Sequence, residues 1–468
     1  MKRYIHSVML CAVLQGIPPL LANNVQITNI ANPTATTITF DIAWDNSSRM
    51  SGADGRHDAI WVFIKYADCA IGDWFHADLA AAGHTAAAPL EIRTVTDNKG
   101  VFIRRNTAST SGNISATSIS LEIIALPVGP TYNFKVIAME MIYVVGGSFE
   151  LGDGTSNYYF KDGSSTGAGS EFTVSSEALI TVGAAAGNLN AVSLVPPSNI
   201  PAAFPKGFNG FYIMKHEISQ GQYTDFLNTI TATESGNRWV NTAGSRNTIT
   251  GSNPSFTASV PDRSNNYLMA MDVLAYLDWA ALRPMTEFEF EKACRGPLSS
   301  LPGEYAWGTA VVHGAAFTLN NPSTSNEIPL VAGTVNGPAQ YSTTDGAING
   351  PMRVGFAATA SSTRSEACAG YYGVLDLSGL IMELVISTAA ASGLSFTGIL
   401  GDGTINTVDG EHNVANWPTS GGAGGGCGLR GGSWLSGSFY LRVSDRWYAN
   451  TANTVRTSHY GGRGVRQY

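Results

Sequence analysis

Helical periodicity surfaces at only three places in this chain, all between Ser219 and Gly296, and the remainder reads as short strands and turns. In "ISQGQYTDFLNTI" Ser219 is placed to cap a helix that carries Tyr223, Phe226 and Leu227 on one face. "MDVLAYLDWA" repeats the pattern with Val273, Leu274, Leu277 and Ala281. In "RPMTEFEFEKACRG" Thr286 and Glu289 form a capping box, and Gly296 with Pro297 stops the helix. Three short helices in 468 residues exclude a bundle and predict an α+β chain dominated by loops. The 13% of charged residues and the 52 glycines point the same way.

Before the helices the pattern is β. "ITNIANPTATTITFDIAW", "DAIWVFIKYAD", "GVFIRRN", "SISLEIIAL" and "YNFKVIAME" alternate or run apolar between Gly, Asn and Ser turns. Their spacing predicts an all-β sandwich over residues 23–138 and a second domain over 139–468. His57, His76 and His84 are dispersed through these strands and gather no catalytic partners. A Gly/Ser/Ala-rich stretch from Asn157 to Pro201 is expected to form long surface loops.

At the start, Lys2 and Arg3 precede a mostly apolar run, Val8 to Leu21, that ends at Ala22. Residues 1–22 read as a signal peptide and predict export, to the medium or the cell surface. Gln-Gly and Pro-Pro interruptions make the run too broken to span a bilayer, and no other stretch is apolar and long enough for a membrane helix, so the chain is not expected to be an integral membrane protein. The formal charge of −8, with no Lys/Arg run, argues against nucleic acid as a partner. Beyond Cys11, the scattered cysteines Cys69, Cys294, Cys368 and Cys427 have no zinc-like spacing. They could form up to two disulfides or remain buried thiols.

Five segments in order, "MIYVVGGSFELGDG", "FYIMKHEISQGQYTDFLN", "LRPMTEFEFEKACRG", "YYGVLDLSGLIMELV" and "LRGGSW" followed by "GGRGVR", resemble the sulfatase-modifying-factor family, the formylglycine-generating enzymes. The resemblance covers 139–468 and implies a loop-rich, C-type-lectin-like fold with its site near the C-terminus. Family enzymes oxidise a client cysteine using copper, oxygen and two cysteines just after the GGS[FW] turn. Only a soft thiolate pair holds Cu(I) this way. Here no cysteine occurs between Gly428 and Tyr468, and Cys427 lies on the wrong side of Gly431-Gly432-Ser433-Trp434. Where relatives hold Ca²⁺ with a Gly-Asn-x-x-Glu turn, this chain reads Gly379-Leu380-Ile381-Met382-Glu383, and Leu380 offers no side-chain oxygen. No catalytic residue or cofactor is therefore assigned, and calcium stays open only as a structural ion. Arg430, Arg442, Arg446, Arg463 and Arg466 are expected to bond loop carbonyls and carboxylates such as Asp445.

The same fold serves as the variable protein of diversity-generating retroelements, and the C-terminal region, about 429–466, is similar in plan. "GLRGGSW", "LRVSDR" and "GGRGVR" read as frame around "LSGSFY" and "WYANTANTVRTSHY". Tyr, Trp and small polar residues suit a binding surface. Tyr440, Trp447, Tyr448, Asn450, Asn453, Arg456, His459 and Tyr460 are the candidate contacts, for a protein or glycan ligand. From Leu435 to Tyr460 there is no Lys, Glu, Gln or Met, as expected where adenines of Asn codons are randomised. The expectation is a non-catalytic binding protein. The alternatives are an oxidoreductase with a cysteine-free site and a structural or adhesion component.

Overall fold

The computed structural model describes residues 23–467, apart from 53–54, 70–71, 125, 127–131, 243 and 420–424. The signal-peptide reading of residues 1–22 falls outside the described residues. The first nine strands are β1 (Asn23–Thr34), β2 (Thr37–Arg49), β3 (Asp58–Asp68), β4 (Trp74–Ala77), β5 (Thr85–Ala86), β6 (Leu90–Thr94), β7 (Val101–Arg105), β8 (Thr110–Glu122) and β9 (Tyr132–Val144). One antiparallel sheet has the order β1-β2-β8-β5. It packs Ile38, Phe40 and Ile42 of β2 and Ile119 and Leu121 of β8 against Ile60, Val62 and Ile64 of β3.

The alternate residues of β3, Ala59, Trp61 and Phe63, face the other way into a second core. A strand covered on both faces has no polar side to present, which is why "DAIWVFIK" reads as a continuous apolar run. That second core contains α1 (Gln220–Leu227) and α3 (Ala270–Trp279), contributing Tyr223, Phe226, Val273, Leu274 and Leu277. The order is therefore sheet, sheet, helices.

The middle sheet does not end with the N-terminal strands. β9 pairs with β3 on one side and with β14 (Phe211–Met214) on the other. The sheet then continues through the C-terminal strand Gly464–Arg466 to Arg283–Pro284. The division at 138/139 lies inside β9, so the two segments share one sheet. Arg466, two residues from the end, forms a bidentate pair with Asp97 at 2.5 and 2.6 Å and lies over Trp61, its guanidinium 4.2 Å from the ring.

Between β9 and β14 come β10 (Phe149–Leu151), β11 (Phe160–Asp162), β12 (Phe172–Val174) and β13 (Leu189–Ala191), paired β10/β12 and β11/β13. The stretch expected to form only surface loops thus carries two small ladders. Phe160, Phe172 and Leu189 bury themselves in the main core, which the Gly/Ser/Ala composition hides. α2 (Ala232–Arg238) and α4 (Glu287–Arg295) complete the longer helices. The capping box expected from sequence, Thr286 with Glu289, opens α4, and the expected cap Ser219 opens α1, where Gln222 completes a second box. α4 ends at Gly296. The helix from Ala270 stops at Trp279, and Ala281 lies beyond it at φ 54°. Among the described residues no helix is long and apolar enough to cross a membrane.

The four described cysteines are all unpaired, Cys69 exposed and Cys294, Cys368 and Cys427 buried. Each buried thiol sits in a different apolar cluster.

Candidate functional site

α4 carries Glu287 and Glu291 four residues apart, one turn above the other on one face. Both are fully buried, and both point at arginines of the C-terminal region. Nη1 of Arg430 donates to Glu287 at 3.0 Å and Nη2 to Glu291 at 2.9 Å. Nε of Arg446 donates to Glu287 at 2.7 Å, and the Arg446 guanidinium lies 3.7 Å from the centre of the Phe160 ring. Ser444 Oγ donates to Glu291 at 3.0 Å. Burial alone would raise the Glu287 carboxyl, yet Arg446 and then Arg430 hold it below its usual range. The expected partner, Asp445, is held instead by the Asn157 side chain and the Trp447 amide. Of the five arginines, Arg442 is the one only half buried, its guanidinium stacked 4.0 Å from the Phe439 ring centre.

The Gly431-Gly432 turn lets the chain cross itself. Gly432 has φ 66°, and a Cβ there would meet the Tyr440 carbonyl oxygen at 3.0 Å and Leu441 Cδ1 at 2.6 Å. Only glycine at this position lets the 3₁₀ turn Ser438–Leu441 pack down with Tyr440 on it. A neighbouring turn braces it from below. Gly379 N donates to Gly431 O at 2.8 Å and Trp434 N to Leu380 O at 2.9 Å. Trp434 is buried, and its Nε1 donates to Ser458 O at 3.1 Å. Farther along, Leu429 N donates to Tyr448 O, and Ala270 N to Asn453 O.

On this frame the rings form a row. Trp447, 44% exposed, stacks on Tyr158 at 5.0 Å; Tyr440 lies 6.4 Å from Trp447 and 5.2 Å from Tyr448. Burial raises the Tyr448 hydroxyl above its usual range, and the nearby Tyr440 and then Tyr460 add to the shift. His459 meets the Tyr460 ring edge-on at 4.6 Å, and burial lowers its imidazole below the usual range. Leu435, Phe439 and Val455 are exposed by half or more.

Two of the sequence-derived contacts need correction. Asn453 is fully buried and is part of the frame, where its carbonyl ties the loop to the start of α3. Arg456 is committed to Asp272 by two bonds of 2.7 Å and to Asn237 O. Asn450 is half buried. Leu435 and Phe439 fall within the surface expected over about residues 435–460, although neither is among the individual contacts read from sequence. Tyr158 was not selectable, since nothing local marks it as the neighbour of a residue 289 positions on.

The residues present do not fit a copper thiolate centre. Burial pushes the Cys427 thiol up to about 12 and raises those of Cys294 and Cys368 as well, so none is a ready thiolate. Glu383, the remaining acid of the turn that relatives use for calcium, is bonded twice by Arg463, at 2.5 and 2.7 Å. Among the described residues no three His, Cys, Asp or Glu side chains converge as a metal site.

The model of the sulfatase-modifying factor enzyme 1-like domain matches residues 133–468. No curated protein matches. Among solved structures, Treponema denticola variable protein 1 aligns with 71% of this chain and 96% of its own, at 14% identity and a TM-score of 0.34.

Proposed function

The chain belongs to the sulfatase-modifying factor enzyme 1-like family, and from that premise we propose that it is a non-catalytic binding protein. Its ligand surface is built on Tyr440, Trp447, Tyr448, His459 and Tyr460, with Leu435 and Phe439 beside them. The observation that carries this reading is the row Tyr158–Trp447–Tyr440–Tyr448, partly exposed above a frame in which Arg430 and Arg446 are paired internally with Glu287. Rigid rings supply contact area at small entropic cost, and the buried arginine–carboxylate pairs hold the loops before a ligand arrives. The lack of a thiolate pair supports binding over cysteine oxidation.

The finer reading is a surface diversified by a retroelement, acting on protein or glycan ligands. Its support is compositional: Tyr, Asn, Ser and Thr fill the segments between frame residues. Deep sequencing of codons 429–466 in a growing population of the source organism tests it. Changes confined to adenine positions between the frame segments are the expected result, and an invariant region overturns diversification while leaving a binder of fixed specificity. For binding itself, the purified protein is screened on glycan and protein arrays beside a Tyr440→Ala/Tyr448→Ala variant. A signal lost in the variant is the expected result, and equal signals overturn the assignment of the surface.

A further inference from the structure

The aromatic row has a margin outside the C-terminal region. The guanidinium of Arg446, next to Trp447, donates to the carbonyls of Tyr158, Ser193 and Leu194 at 3.1, 3.3 and 3.2 Å. Val192 N donates to Tyr159 O at 3.0 Å, so the segment 192–195 runs beside the residue on which Trp447 stacks. Val192 and Val195 are both exposed. With Leu435 and Phe439 they give the row an exposed apolar margin drawn from two distant parts of the chain.

The charge on this surface is one-sided. Asp445 is the one acidic residue from Leu429 to Tyr468, and its carboxylate accepts from the Asn157 side chain and the Trp447 amide. Six arginines lie in the same stretch. Arg430 and Arg446 pair with Glu287, Arg456 with Asp272, Arg463 with Glu383 and Arg466 with Asp97. Arg442 differs from all five. Among the described residues its guanidinium meets neither a carboxylate nor a carbonyl, and its Nε is buried without an acceptor. It lies over the exposed Phe439 ring and against Gly303, where a Cβ would come within 3.2 Å of its Cζ.

These features separate the ligand classes. A sugar ring is held by an open aromatic face and by planar polar groups that give and accept hydrogen bonds to its hydroxyls. Trp447 has one face against Tyr158, Phe439 has one under the Arg442 guanidinium, and the single carboxylate is already bonded. The exposed valines and leucine offer hydroxyls nothing. Tyr, Trp and Arg set among apolar side chains are instead the composition of protein interface hot spots.

We propose that the surface takes a protein partner that sets a carboxylate on Arg442 and aliphatic side chains against Val192, Val195 and Trp447, an assignment that rests on the aromatic row being the binding site. The guanidinium is laid flat on Phe439, so its fork is oriented before the partner arrives. The formal charge of −8 is spread over the whole molecule and screened within about 10 Å at 0.1 M salt, so the local cation governs the contact.

Selection of a phage-displayed random-peptide library on the full-length protein is the test. Enriched peptides are expected to combine Asp or Glu with Leu, Ile, Val or Phe. Synthetic copies should bind Arg442→Gln about tenfold or more weakly than the wild type, with Arg442→Lys intermediate and Val195→Asp also weakened. Added salt should weaken binding to the wild type and affect Arg442→Gln less, a difference that a purely structural role for Arg442 does not produce. Enriched peptides without acidic residues, equal affinity for the wild type and a folded Arg442→Gln, or no enrichment at all overturns the acidic protein partner. A glycan whose binding requires Tyr440 and Tyr448 overturns it too. Peptides that need the two tyrosines but ignore Arg442 sink this inference alone, whereas peptides that bind Tyr440→Ala/Tyr448→Ala undiminished sink the aromatic surface itself.

Discussion

Nε of Arg446 donates to Oε2 of Glu287 at 2.7 Å, with both side chains fully buried and 159 residues apart in sequence. The same oxygen accepts from Arg430 at 3.0 Å, so one carboxylate joins α4 to the two ends of the segment that presents Tyr440. Removing one member of such a group leaves uncompensated charge in the core. Glu287→Ala is expected to cost about 3–5 kcal/mol in urea unfolding. It should also disperse the tyrosine ring signals of Tyr440 and Tyr448 in NMR spectra recorded where the protein is still folded.

Exposure separates the aromatic candidates from the frame. Trp447→Ala and Tyr448→Ala should each weaken ligand binding by about tenfold or more while shifting the unfolding midpoint little. Asn453→Ala should leave affinity unchanged and the unfolding midpoint no lower, since its side chain never reaches the surface and, among the described residues, its amide has no hydrogen-bond partner to lose. Paired binding and denaturation curves on the three variants check the division.

Short-range features were legible from sequence and long-range ones were not. The Ser219 and Thr286 caps depend on neighbours three residues away, so their pattern survives in a linear reading. The Gly431-Gly432-Ser433-Trp434 turn was readable because a backbone crossing demands glycine whatever surrounds it. Arg456 was misjudged because its partner, Asp272, lies 184 residues earlier, in a helix with its own apparent role. β9 shows the limit most plainly. It reads as the last strand of one unit and is in fact the shared strand between β3 and β14.

That sharing has a consequence for any shortened chain. Starting at Met139 would remove β3 and leave Met139 and Met141 without Trp61 and Phe63 in their core cluster. It would also remove the donors that Trp61 Nε1 and Lys65 Nζ supply to Ala280 and Trp279 carbonyls, at 3.0 and 2.9 Å, and strip Arg466 of Asp97. Unpairing one buried charge of this kind costs about 3–5 kcal/mol, a large share of a domain's net stability. The 139–468 fragment is expected to be aggregated or molten, checked by dispersion in its amide NMR spectrum. A well-dispersed spectrum would show that the N-terminal strands are dispensable.

Leu380 occupies the left-handed region at φ 65°, a conformation that suits Asn better than Leu. Its side chain nevertheless packs with Tyr305, Trp307, Met352 and Leu441 in a cluster beneath the 3₁₀ turn. Leu380→Asn would relieve about 1–2 kcal/mol of backbone strain. It would lose about 2–5 kcal/mol of buried packing and place an amide in an apolar site. The packing loss wins, and a net destabilisation of about 2 kcal/mol is expected in chemical denaturation. A stabilised variant would show that the backbone strain is the larger quantity.

His57 is one source of pH dependence, beside His76 and His412, whose imidazoles burial also lowers. Its Nε2 is 2.8 Å from the Tyr212 hydroxyl and its Nδ1 2.8 Å from Gly55 O, with the ring stacked on Tyr143 at 4.8 Å. Burial, with Arg104 and Arg49 adding to it, lowers its pKa from 6.5 to about 4, against the opposing pull of the Gly55 carbonyl and Glu91. Above pH 6.5 the ring is neutral in the folded and unfolded chains alike, and its contribution to stability is fully present. As pH falls from 6.5 towards 4 the unfolded chain takes up the proton first, so stability is lost across that window. Fully developed below pH 4, the loss is ~3 kcal/mol for this one group. Urea midpoints measured between pH 7.5 and 4 should therefore decline steadily in the wild-type protein. In His57→Gln, which removes the titrating ring and lowers the pH 7.5 midpoint, the slope attributable to His57 should vanish. Parallel declines in the two proteins would assign the acid sensitivity to other buried groups.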